Sequence, residues 1–252
     1  MTKYNKLCLF LLSNVLLMSW SLRANTYKVI SYTPPNPPHN IHSKDAQGNL
    51  VISGVIPDIF TQIGKITGDE FVMVQMPAAR AIIEFDFGHV DIEPGIYPIW
   101  RSKTKIKGVY SIPYKSAEEV IVFRSGEQFD VKVQKDLFGR KVRIVRGFTY
   151  PWFESAFASG KIKKILNKSE GLLVKQLMAK RIDQIFMSKS SIEYMKKNAP
   201  SLSNVVVGDV VSSVEVMMRV HPEKIELLPR LNKAIKQMID DKSIEKIIAK
   251  YK

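Results

Sequence analysis

Reactive side chains are sparse in this chain and poorly arranged for catalysis. It contains four histidines, His39, His42, His89 and His221. His39 and His42 lie close together in a proline-rich stretch with no third ligand at a useful spacing, so they make a poor metal site. The pattern Ser-x-x-Lys occurs at Ser102–Lys105 and again at Ser243–Lys246. Both fall in a lysine-rich background without companion motifs. Glycine-rich phosphate loops, nucleophile elbows and paired metal-binding histidines on a helix are missing from the sequence. Side chains suited to holding a solute are easier to find. Gly147-Phe148-Thr149 stands between a strand-like run and a helix-like one. Thr149 can cap that helix, and free amides there favour an anion. Tyr32, Tyr97, Trp100, Tyr114 and Phe148 stand near strand ends, where an aromatic ring offers a flat apolar wall with a polar edge. Each of them can equally be ordinary packing.

The elements that must position these residues alternate in type. Tyr27–Tyr32 reads as a strand and stops at the breaker run Thr33–Pro38. Asp45–Asn49 reads as a hairpin turn. Ile56, Ile59, Phe60, Ile63 and Ile66 recur at helical spacing, and Gly68 follows as a stop. Phe71–Val74 is a strand, Pro77–Phe85 a helix and Val90–Glu93 a third strand. A second series starts with a strand at Val120–Phe123. It continues with a short helix at Val131–Phe138, a strand at Lys141–Val145, helices at Tyr150–Ser159 and Leu172–Lys180, a strand at Ile182–Met187 and a helix at Ile192–Asn198. Strands at Val205–Val207 and Val214–Val220 follow, then helices over Ile225–Asp240 and Ser243–Tyr251. Strands alternating with helices predict an α/β protein with parallel sheets. The restart near residue 118 predicts two lobes with a cleft between them, where ligands collect at the carboxyl ends of strands.

The chain has 252 residues and a formal net charge of +14. Apolar residues make up 45% and charged residues 25%, enough for a packed core and wrong for a disordered chain. Residues 1–24 have the layout of a secretory signal peptide. Lys3 and Lys6 precede an apolar run from Leu7 to Trp20, and Ala24 is a suitable last residue before cleavage. The run is short of the ~20 residues a membrane-spanning helix needs. Cleavage there removes Lys3, Lys6 and Arg23 and no acid, taking +14 to +11, and also removes the single cysteine, Cys8. A cysteine-free mature chain suits an oxidising compartment. Export argues against a nucleic-acid partner, and apart from the small stretches Arg101–Lys107 and Lys161–Lys168 the basic residues are dispersed rather than gathered in one block.

Six stretches carry a family resemblance in order and spacing. They are Gly54–Gly68 (GVIPDIF…IGKITG), Gly88–Asp91 (GHVD), Tyr110–Tyr114 (YSIPY), Leu137–Thr149 (LFGRKVRIVRGFT), Arg181–Asp183 (RID) and Leu231–Tyr251 (LNKAIKQMIDDKSIEKIIAKY). Together they resemble the bacterial extracellular solute-binding proteins of family 3, the periplasmic components of polar amino-acid ABC transporters. The resemblance implies the type II periplasmic-binding-protein fold, with two α/β lobes, a central cleft and crossover hinge strands. The first lobe is discontinuous, residues 25–118 and 213–252, and the second is 119–212. A small solute is enclosed between them by hinge closure and passed to an inner-membrane ABC permease or a membrane sensor. A monomer without cofactor is expected.

The resemblance also implies site residues. An arginine shortly after the third strand pairs with the ligand carboxylate, for which its planar fork is suited. The family register falls at Lys103 or Thr104, and the expectation placed here is Arg101, with Lys103 in reserve. Gly95, Tyr97 and Trp100 border it. Gly147, Phe148 and Thr149 match the second carboxylate anchor. Where amino-acid binders of the family carry an aspartate for the α-ammonium, this chain has Ser188. A serine cannot neutralise an ammonium. The sequence therefore predicts either that Glu93 substitutes or that the solute is a carboxylate or other small anion, which a +11 surface attracts. A periplasmic enzyme of the same fold acting on a small carboxylate, dehydratase-like, is the alternative.

Overall fold

The computed structural model describes residues 24–252. The signal-peptide reading of residues 1–24 lies, apart from Ala24, outside them. Among the described residues no helix is long and apolar enough to cross a membrane.

The first lobe begins with β1 (Thr26–Tyr32), the hairpin β2 (Ile41–Lys44) and β3 (Leu50–Ser53), helix α1 (Val55–Thr67), β4 (Glu70–Met76), helix α2 (Ala78–Asp86), β5 (Ile92–Ile96) and the two-residue β6 (Val109–Tyr110). Strand β7 (Lys115–Arg124) leads into the second lobe. There follow β8 (Lys141–Val145), the short α3 (Glu154–Ala158), β9 (Lys163–Asn167), α4 (Glu170–Met178), β10 (Gln184–Ser188) and α5 (Lys189–Asn198). Strand β11 (Val205–Val220) returns to the first lobe, which ends in α6 (Leu228–Asp240) and α7 (Ser243–Ala249).

One curled sheet runs through both lobes in the order β4-β1-β5-β11-β7-β10-β8-β9. Each outer part is parallel, as strand–helix–strand crossovers require: β1 with β4 and β5, and β8 with β9 and β10. The middle is antiparallel. Strand β11 pairs with β7 over Val205–Val216, then with β5 and β6 over Met217–Val220. Where the sequence predicts two short strands, β11 is one strand of 16 residues. Bulges between Val207 and Ser212 let it bend from one lobe into the other. Strand β7 likewise starts at Lys115 rather than at Val120, and the third strand of the first lobe is Ile92–Ile96 rather than Val90–Glu93. The parallel pairing read from the alternating elements thus holds in the outer parts, and the two crossover strands make the sheet mixed, because they run against their neighbours.

Apolar periodicity placed the cores. Ile56, Ile59, Phe60 and Ile63 of α1 and Leu231, Ala234, Ile235 and Met238 of α6 bury one face against Ile92, Val216 and Met218. Ile30, Phe85 and Val90 form a smaller cluster nearby. In the second lobe Ile121, Phe123, Ile144 and Phe186 pack on one face of the sheet. Val122, Leu173, Leu177, Ile185 and Ile192 pack on the other. Two expected helices shrink: Val131–Phe138 holds only a 3₁₀ turn at Gln134–Leu137, and Tyr150–Ser159 a 3₁₀ turn at Pro151–Phe153 followed by the five residues of α3. Strand β9 was not anticipated. Its sequence, Lys-Lys-Ile-Leu-Asn, reads as a basic loop because it is a sheet edge, where lysines discourage pairing with another chain.

Candidate functional site

Between the lobes lies a cavity of about 100 Å³. At the ~10–15 Å³ one water occupies, it has room for roughly seven to ten heavy atoms. Tyr32, Gly95, Trp100 and Arg101 line it from the first lobe, and Gly147, Phe148, Thr149, Tyr150 and Ser188 from the second. Glu93 and Tyr97 do not.

Arg101 ends a 3₁₀ turn, Pro98–Arg101, that follows β5. It is 3% exposed. Its Nε donates to Glu93 Oε2 at 3.0 Å, Nη2 to Glu93 Oε1 at 2.7 Å, and Nη1 to the Trp100 carbonyl at 3.3 Å. Two of its five N–H donors remain for the cavity. Glu93 is fully buried and also accepts from Arg219 Nη1 at 2.8 Å and from the Tyr32 hydroxyl at 2.9 Å. Burial alone would raise the Glu93 carboxyl, but the two guanidiniums outweigh it and hold the pKa below its ordinary value. Burial and the neighbouring Glu93 carboxylate push the Tyr32 phenol far up. The expectation that Glu93 could pair with a ligand ammonium is therefore corrected. Its oxygens already hold two arginines, and it sits behind Arg101 rather than on the cavity wall. Arg219 is a residue the sequence concealed: Met-Met-Arg-Val in a buried strand gives no sign that the arginine folds back over Phe85, 3.7 Å from its ring centre. Lys103 is exposed and outside the cavity.

The opposing wall is the turn after β8. Gly147 has φ +93°, and a Cβ there would lie 2.8 Å from the Ala79 nitrogen of α2, so the two backbones touch across the cleft. The amides of Gly147 and Thr149 have no backbone partner among the described residues, whereas Phe148 donates to the Val145 carbonyl at 3.1 Å. Thr149 does not cap a helix as expected. Its hydroxyl points across the cleft to the Trp100 carbonyl at 3.5 Å, and Tyr150 takes the place before the 3₁₀ turn. The Phe148 and Tyr32 rings are 6.2 Å apart. Tyr97 stacks instead on Trp152 of the other lobe, at 6.2 Å and 9° between planes. Tyr114 is buried in the core of the first lobe.

Ser188 closes β10, and its amide donates to Glu170 Oε1 at 2.9 Å. Ser169 caps α4 through the Leu172 amide at 3.2 Å, which fixes Glu170 at the first helical position. Glu170 is 2% exposed, and its Oε2 has no hydrogen-bond partner among the described residues. Next to it Glu119 accepts from the Tyr150 hydroxyl at 3.0 Å. Burial, with Glu170 adding, pushes the Glu119 carboxyl up to about 8, and burial raises Glu170 as well. Lys115, lowered to about 8 chiefly by burial, also lines the cavity, as does His39. The His39 Nε2 lies 3.0 Å from Ser190 Oγ, and burial followed by the Lys115 charge lowers its pKa to about 3, so it is neutral. No group of three His, Cys, Asp or Glu able to hold a metal occurs among the described residues.

Glu119, Glu170, Lys115 and His39 were missed as site residues. A signal for two of them existed. Lys115, Ala117 and Glu119 fall on one face of a strand by period two, while Glu118 faces away and meets Lys189 at 2.7 Å. Starting β7 at Val120 hid that pattern. Glu170 carries no such signal, since only the fold brings it beside Ser188.

Several known structures share this architecture. An ancestral arginine-binding protein bound to arginine is similar with a TM-score of 0.73 and 24% identity, over 90% of this chain and 98% of that one. An amino-acid ABC transporter substrate-binding protein from Streptococcus pneumoniae, bound to L-arginine, is similar with a TM-score of 0.74 and 16% identity, over 90% and 94%. An ancestral amino-acid-binding protein, a precursor of cyclohexadienyl dehydratase, is similar with a TM-score of 0.71 and 23% identity, over 90% and 95%. A comparison with curated protein sequences finds no match. Residues 29–252 match the bacterial extracellular solute-binding proteins, family 3. With the two-lobed sheet and the cavity between its lobes, that match makes the chain a member of this family of solute-binding proteins.

Proposed function

We propose that the protein captures an α-amino acid in the interlobe cavity, as a non-enzymatic binding component. The observation that carries this reading is the buried Glu170–Glu119 pair beside Ser188, lining the same cavity as Arg101. Two like carboxylates in a buried site share a proton near neutral pH and so carry about one negative charge. One ammonium matches that charge. The free donors of Arg101 and the amides of Gly147 and Thr149 match one carboxylate. Glu170 thus supplies the negative charge that Ser188 lacks, and of the two expected solutes, an amino acid or a small anion, this favours the amino acid.

In this reading residues 25–118 with 213–252 form one lobe and 119–212 the other, as the sorting of the apolar clusters supports. The solute bridges both lobes and so favours their closure. After removal of residues 1–24 the protein works in the periplasm as a monomer and hands its cargo to an inner-membrane ABC permease or a membrane sensor. A thermal-shift series with amino acids, 2-keto acids and polyamines tests it. An amino acid at a hundred times its Kd stabilises by about 2.7 kcal/mol, a rise of about 5–11 °C for a chain of this size. Equal stabilisation by the matching keto acid would overturn the ammonium assignment.

One observation favours a second reading. A Glu119 carboxyl that keeps its proton near neutral pH, hydrogen-bonded to Tyr150 and next to Glu170, has the character of a general acid. Turnover of a small carboxylate would establish an enzyme; quantitative recovery of unchanged solute from the protein excludes it for that solute.

A further inference from the structure

Building on the amino-acid reading, we propose that Lys115 selects the solute by its side chain, favouring a terminal carboxylate or amide and rejecting a cationic end. The hinge strand β7 presents Lys115, Ala117 and Glu119 to one cavity. Four residues at ~3.3 Å each separate the outer two by about 13 Å along the strand. The methyl group of Ala117 leaves a trough between them. Glu119 lies at the end where Glu170 and Tyr150 gather. Lys115 lines the same cavity and also a second interlobe cleft of about 590 Å³, together with His39 and Ser188. No hydrogen bond or ion pair to the Lys115 ammonium occurs among the described residues. Its strand neighbour Glu118 is engaged by Lys189 at 2.7 Å.

A lysine pKa near 8 leaves the Lys115 amine charged at neutral pH. His39, neutral and bonded to Ser190, adds no second charge beside it. The carboxylate pair answers one ammonium, the α-ammonium of the solute. Lys115 is thus a half-buried cation whose ammonium feels the Glu119 charge but makes no hydrogen bond or ion pair among the described residues, and a solute oxygen beside it supplies one. A guanidinium or ammonium there meets a like charge in a confined site, which is how a pocket excludes a competitor.

Isothermal titration calorimetry with glutamate, glutamine, leucine, arginine and lysine provides the test. The wild-type protein is expected to bind glutamate or glutamine at least tenfold more tightly than arginine. Lys115→Met is expected to shrink the glutamate-to-leucine affinity ratio at least tenfold, and Lys115→Arg to keep it. Arginine or lysine binding the wild type as tightly as glutamate overturns the assignment, as does an unchanged ratio in Lys115→Met. Should Lys115→Met fail to fold by circular dichroism, the wild-type panel and Lys115→Arg still decide. Amino acids that bind without these preferences refute the role of Lys115 alone, whereas a protein that binds none of them refutes the amino-acid reading with it.

Discussion

Replacing Glu93 with glutamine strikes a buried carboxylate shared by two arginines and a tyrosine. Its carboxylate holds Arg101 at 2.7 Å and Arg219 at 2.8 Å, both arginines being nearly or fully buried, and takes the Tyr32 hydroxyl as well. Glutamine keeps one acceptor oxygen and loses the charge. The two arginines do not suffer equally. Arg219 retains Asp86 at 3.8 Å, the Thr104 hydroxyl at 3.1 Å and the Phe85 ring. Arg101 loses its only carboxylate among the described residues. Removing one partner of a buried ion pair costs about 3–5 kcal/mol, which for a chain of this size lowers Tm by about 6–20 °C. The pH dependence supplies a second signature. A carboxyl whose folded pKa is depressed contributes stability above its ordinary value of 4.5 and loses it as pH falls through the lower folded value. Urea denaturation followed by circular dichroism from pH 3 to pH 7 therefore should show wild type and Glu93→Gln converging at the acid end and diverging above it. A variant within 1 kcal/mol of wild type at pH 7 would show that the arginines are solvated in the fold and that the buried-pair reasoning is wrong.

Three further outcomes follow from the cleft. Glu119→Gln should flatten the stability profile between pH 4.5 and about 8, because the folded carboxyl holds a proton that the unfolded chain releases across that window, so wild-type stability falls as pH rises through it; parallel profiles for the two proteins would contradict a raised Glu119. Gly147→Val puts a Cβ 2.8 Å from the Ala79 nitrogen at a φ of +93°, so calorimetry should show solute affinity down at least tenfold with the secondary structure kept, and wild-type affinity would mean that the lobes need not touch there. Trp152→Ala removes the stack on Tyr97 across the cleft, worth about 0.5–1.5 kcal/mol, and should weaken binding about two- to twelvefold; an unchanged Kd would place that stack outside the closed state.

Much of this protein was legible before any coordinates. Helix α1 and helix α6 could be read because their buried residues recur at 3.6-residue spacing, and β8 because Lys141–Val145 alternates cleanly. Of the cavity positions, Gly147 and Phe148 could be read from their place after a strand, whereas Arg101 and Ser188 were expected only from the family resemblance. The continuity of β11 was not legible, since a strand that bends between lobes carries polar residues, Asp209 and Ser212–Ser213, in its middle.

The sequence alone determined the alternating elements and the two-lobed class, because apolar periodicity and turn residues act over a few positions at a time, and the resemblance carried by six ordered motifs pointed to the family. Tertiary structure decided the charges of the site. Glu93 is 126 residues from Arg219, and Ser188 is 18 from Glu170. Whether a carboxylate meets a solute, a guanidinium or another carboxylate depends on which of these distant side chains share one dry space. Electrostatic energy depends on separation and burial, and neither is written along the chain.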